Sequence, residues 1–177
     1  MKHPFLTAGL LAVTIPFMTA CAEQADQASD IAPNDTATDQ SFGFDLALAL
    51  SDQAQSTLSD LGEEAVVSAS YYGSPTPEGE QHANEVGRID LGNEDVQVPV
   101  GASTVVEITG SGIDASKLQW VAGDVMVNVN AYSARLSGDD NLLACDFIDG
   151  PLSAITATPV TLRCALIEED VETEQKP

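Results

Sequence analysis

The stretch DVMVNVNAYSAR, Asp124 to Arg135, decides the fold class. Val125, Val127, Val129 and Ala131 fall on one side of an extended chain, and Met126, Asn128, Asn130 and Tyr132 on the other. Alternation with period two marks a strand that has one face in a core and one in water. A helix would scatter the same four apolar residues around its circumference. The segment therefore predicts a long, half-buried strand with its Val-rich side inward.

The same period recurs on both sides of it. Towards the N-terminus, Phe42, Phe44, Leu46, Leu48 and Leu50 alternate with Gly43, Asp45, Ala47 and Ala49, and Ala65 to Tyr72 is rich in Val and Tyr. Between these two strands Ser51 is a helix cap, Ala54, Leu58 and Leu61 recur at i, i+4 and i+7, and Gly62 is a stop. Further strands are expected at about 84 to 91, 94 to 99 and 103 to 109, divided by Gly92 and Gly101. Ser111 to Gln119 reads as a loop with one helical turn. Towards the C-terminus, Leu143, Cys145 and Phe147 share a parity, as do Val160, Leu162, Cys164 and Leu166, with Pro159 at the start of its strand. Seven or eight short strands and one short helix predict a mainly β chain. The expected architecture is an antiparallel β-sandwich, immunoglobulin-like or transthyretin-like, with a small closed barrel as the alternative.

The chain has 177 residues, 44% of them apolar, a length suited to one domain with tails. The domain is placed at 43 to 167. Residues 21 to 42 contain AEQADQASDIAPNDTATDQS, which has too little apolar surface to offset its ordering entropy and reads as a flexible acidic tether. Residues 168 to 177, rich in Glu, read as an acidic, disordered tail. Asp and Glu number 28 against 6 Lys and Arg, a formal net charge of −22. Such a surface repels nucleic acid and anionic lipid headgroups, so no nucleic-acid partner is expected.

Met1, Lys2 and His3 form a short basic start, followed by an apolar run from Pro4 to Phe17. The run has the length of a signal-peptide core and is too short to span a bilayer. It ends at Met18, Thr19, Ala20 and Cys21, a tetrapeptide that resembles the lipobox of bacterial lipoproteins. Thr19 and Ala20 match the small residues of that motif, while Met18 stands where Leu is commoner. The resemblance covers only the first 21 residues. It implies that residues 1 to 20 are a lipoprotein signal peptide and that Cys21 becomes the acylated, palmitate-bearing first residue. Ala22, rather than Asp, after that Cys implies the outer membrane, with the domain facing the periplasm or the exterior. The other reading of these residues is an ordinary secretory signal with a chance Cys.

If Cys21 carries lipid, Cys145 and Cys164 remain of the three cysteines, both on apolar faces. An oxidising envelope would let them join, and closing the loop between them is worth about 3 kcal/mol in the chain-entropy model. Two buried reduced thiols are the alternative.

Motifs that carry chemistry are few. No G-x-S-x-G elbow occurs, and beyond Cys21 the histidine is His82, in a Gly/Pro/Glu loop where an exposed role is expected. Gly110, Ser111 and Gly112 read as a turn, not a phosphate loop. Asp139, Asp140, Asn141, Asp146 and Asp149 offer oxygen ligands of the kind calcium takes, but not at the spacing of a calcium loop. No metal and no cofactor is predicted. Tyr71, Tyr72 and Trp120 are candidates for a sugar or protein contact, with a core role the commoner fate of a lone Trp.

The acidity has two readings: solubility in salt-rich surroundings, or complementarity to a basic envelope protein that meets the membrane-anchored domain. The functional expectation is a non-catalytic binding or structural module, not an enzyme. The alternative is a carboxylate-based hydrolase of envelope polysaccharide, which would need two converging acids with separated pKa values.

Overall fold

The computed structural model describes residues 42–101 and 103–176. The elements are β1 (Phe44–Leu50), α1 (Asp52–Leu61), β2 (Ala65–Pro75), β3 (Ile89–Val98), β4 (Ser103–Ile108), β5 (Val121–Ser133), β6 (Leu143–Cys145), β7 (Phe147–Pro151), α2 (Leu152–Ala157), β8 (Val160–Leu166) and β9 (Gln175–Lys176). Short 3-10 turns occupy Glu80–His82, Ala115–Trp120 and Ile167–Glu169.

The strands form two sheets, in the orders β4-β1-β8-β6 and β3-β2-β5-β7-β9. Phe44, Leu46, Leu48, Val106, Ile108 and Leu162 face inward from the first, and Val67, Ala69, Tyr71, Val127, Val129 and Ile148 from the second, in one core. That is a β-sandwich: each sheet has one apolar face, and each hides it against the other. Distinct end strands on both sheets make the arrangement open, unlike the closed barrel. Two pairings depart from the antiparallel rule, β1 with β8 and β7 with β9, both parallel.

β5 follows its sequence pattern closely. Val125, Val127, Val129 and Ala131 are buried, and Met126, Asn128, Asn130 and Tyr132 line the outer face. α1 also begins and ends where its caps stand. The Ser51 side chain accepts the Ala54 N–H, and Gly62 takes the left-handed conformation at φ +64° while its N–H closes the last turn. Ala54 and Leu58 are fully buried, but Leu61, expected on the same apolar face, is 51% exposed because the helix outruns the core there.

Several expectations are corrected. The two strands expected at 84 to 91 and 94 to 99 are a single β3. The Asn84 side chain accepts the N–H groups of Val86 and Arg88 and folds the preceding residues into a turn, while Gly92 continues the strand as an irregularity. Gly92 sits at φ +109°, and a Cβ there would lie 2.3 Å from the Gly112 carbonyl oxygen, so the position requires glycine. The single run expected around Leu143 to Phe147 is two strands, because the chain leaves one sheet at Cys145 and joins the other at Phe147. α2 adds a second short helix, with Leu152 and Ile155 buried.

The tail expected to be disordered is instead part of the fold as far as Lys176. β9 pairs with β7, Phe147 N–H donates to the Glu174 carbonyl, and the Glu174 N–H donates to Asp146. Local composition argued for solvation; the partner that holds the tail lies elsewhere in the chain and carries the opposite reading.

Candidate functional site

Cys145 and Cys164 form a disulfide. They stand directly opposite each other on β6 and β8, flanked by the pairs Ala144–Ala165 and Leu143–Leu166. The bridge braces a three-residue edge strand that would otherwise be held by few backbone bonds. Cys21, the expected acylation site, lies outside the described residues, as do the expected signal peptide and the expected tether up to Ser41.

Immediately after the bridge comes Asp146, whose side chain is 2% exposed. One oxygen accepts from the Arg163 Nε at 2.9 Å and lies 3.2 Å from the Lys176 Nζ, and the other accepts the Glu174 N–H at 2.8 Å. Glu174 in turn holds the Arg163 Nη2 at 2.9 Å and the Lys176 Nζ at 2.7 Å. Burial by itself would raise the Asp146 pKa, but the Arg163 guanidinium and the Glu174 and Arg163 amides outweigh it and pull the group down to about 2. This carboxylate is a structural anion at the point where the chain changes sheets.

Glu63 has the same character and carried no sequence signal. It is 3% exposed and accepts from the N–H groups of Leu136 and Ser137, at 3.1 and 2.8 Å, and from the Ser137 hydroxyl at 2.7 Å. Those bonds overcome its burial and bring its pKa to about 2. The turn they fix contains Arg135 at φ +60°, a left-handed conformation rare for a residue with a side chain. Glu94 similarly gathers Thr109 and Gly110 over β3; burial opposes its charge, but the amides and hydroxyl prevail and its pKa is lowered.

On the outer face of the five-stranded sheet several polar side chains bond to one another or to the backbone. Asn130 donates to Asn128, Asn128 donates to the Ile148 carbonyl, and the Tyr72 hydroxyl donates to Asp149 at 2.5 Å. The Arg88 guanidinium lies 4.2 Å above the Tyr72 ring. Trp120 is half-buried against the core and stacks on His82, with ring centroids 3.8 Å apart. Tyr71, expected as a contact candidate, is instead core at 1% exposure, its hydroxyl without a protein partner among the described residues.

The carboxylates grouped by sequence are dispersed. Asp139 and Asp140 are exposed, Asn141 accepts the Ser133 N–H, Asp146 faces Arg163, and Asp149 faces Tyr72. Among the described residues no three His, Cys, Asp or Glu side chains are placed to share a metal ion.

Among the described residues each Lys and Arg is engaged. Arg88 covers Tyr72, Lys117 donates to the Asp90 carbonyl, the Arg135 guanidinium is 5.8 Å from the Tyr132 ring, and Arg163 and Lys176 hold Asp146 and Glu174. The exposed acids without a cation beside them outnumber the described Lys and Arg, so the described surface is predominantly anionic. No protein family, no characterised protein and no solved structure matches this chain.

Proposed function

We propose that this chain is a membrane-anchored envelope lipoprotein, held at the bacterial outer membrane through acylated Cys21, whose acidic β-sandwich is a non-catalytic binding module for a basic partner. The observation that carries the reading is the distribution of charge. Every Lys and Arg among the described residues has an internal partner, while exposed acids such as Asp60, Asp139, Asp140 and Glu168 have no cation beside them. A surface of one uncompensated sign raises encounter rates with the opposite sign and orients docking.

The character of the carboxylates supports a module over a hydrolase. A general acid that works near neutrality needs a carboxyl held protonated, which means a raised pKa. Among the described residues each carboxylate with a resolved shift is lowered: Glu63, Glu94, Asp114, Asp146 and Glu174.

The test is calorimetric titration of the full-length protein, in mild detergent, with egg-white lysozyme as a small basic probe. Saturable binding at low salt that weakens steeply at high salt is the expected result. Absence of binding at low salt, or binding indifferent to salt, would contradict it.

A further inference from the structure

At the C-terminal end of α1 the structure leaves an open groove of about 300 Å³ between the helix and the 3-10 turn Ile167–Glu169. Leu166 is its buried floor, Leu142 is half-buried, and Leu61 and Ile167 form its walls at 51% and 54% exposure. The walls are the part of the α1 stripe and of the β8 exit that runs beyond the two sheets. Large apolar side chains so exposed, on opposite sides of one depression, are poorly hydrated and gain by being covered.

The charge nearby has one sign. Glu168 lines the groove, no Lys or Arg does, and the exposed acids Asp60, Asp139, Asp140 and Asp170 lie within two residues of lining residues along the chain. The last turn of α1 contains no basic residue, so the negative end of the helix dipole is uncompensated there. A second copy of the chain also carries a formal net charge of −22 and would be repelled. A basic, amphipathic segment is attracted by the nearby acids and covered in the groove.

We infer that this groove is the contact point of the module, taking one or two large aliphatic or aromatic side chains of a Lys- or Arg-rich amphipathic segment on the partner. The inference rests on the anionic-module reading and names the place where it acts. The hydrophobic anchors supply affinity at the centre and the nearby acids supply orientation and rate.

The test uses the full-length protein and two synthetic peptides of equal positive charge, one with Leu and Lys on opposite helix faces and one with every Leu replaced by Ser. Leu61→Ser with Ile167→Ser is expected to weaken the amphipathic peptide roughly tenfold and leave the Ser peptide unchanged. Should the double variant lose its far-ultraviolet spectrum, Leu61→Ser alone, at a helix surface position, gives the same comparison with a smaller loss. Equal binding of the amphipathic peptide by wild type and variant would overturn the groove while the anionic-module reading stands. No binding of either peptide at low salt would overturn both. Self-association of the wild type that the double variant abolishes would overturn the proposal in favour of a second copy.

Discussion

Asp146 and Glu63 are almost wholly removed from water, yet both are held as anions near pKa 2 by donors from distant parts of the chain. Their ordinary values are 3.8 and 4.5, so in acid the unfolded chain takes up these protons before the folded one does. The stability they contribute is complete above those ordinary values and is lost as pH falls towards about 2. Urea unfolding followed from neutral pH into acid should show a falling midpoint across that window. Asp146→Asn and Glu63→Gln should each cost about 1–3 kcal/mol at neutral pH, because buried amides lose a charged acceptor, and should flatten the acid slope. A slope unchanged in both variants would show that other groups set the acid limit. Neither residue announces itself in sequence: Asp146 looks like one more acid in a polar cluster, and Glu63 like the residue after a helix stop. Their roles come from Arg163, Glu174, Leu136 and Ser137, none of which is a neighbour along the helix or strand.

At the scale of elements, the tail is the informative case. Removing Thr173 to Pro177 takes away β9, both cation contacts of Glu174 and the Lys176 contact with Asp146. The truncated chain should unfold at a lower urea concentration by about 1–3 kcal/mol, whereas a solvated tail would leave the midpoint where it was. Elements whose pattern is local were legible in the residues: the alternation of β5 and the Ser51 and Gly62 caps of α1; the apolar setting of Cys145 and Cys164 was legible too, but their position opposite each other comes from the β6–β8 pairing. Elements fixed by a distant partner were not. β9 is two residues long, α2 is too short to show a period, and the sheet switch at Asp146 reverses the parity expected for Leu143, Cys145 and Phe147: Leu143 is buried in β6, but in β7 the core residue is Ile148 and Phe147 is only half-buried. The groove was half legible, since the Ala54, Leu58 and Leu61 stripe was visible but the place where the core ends was not.

At the scale of the whole molecule, a sandwich with a cystine brace carries most of its acids on the surface, and each Lys and Arg among the described residues has a partner within the chain. Such a body associates with an anionic bilayer poorly by itself, so the proposed attachment is assigned to the amino-terminal segment. A single acyl chain gives marginal, reversible membrane binding, and two or more make it firm, so the account depends on the full modification of Cys21 and not on the sandwich. The direct measurement is metabolic labelling with a clickable fatty acid in bacterial cells expressing the full chain, comparing wild type with Cys21→Ser and following the label into membrane fractions. The account predicts strong labelling and outer-membrane recovery for the wild type, and loss of both for the variant. Equal labelling of the two, or an unlabelled wild type recovered in the soluble fraction, would contradict it.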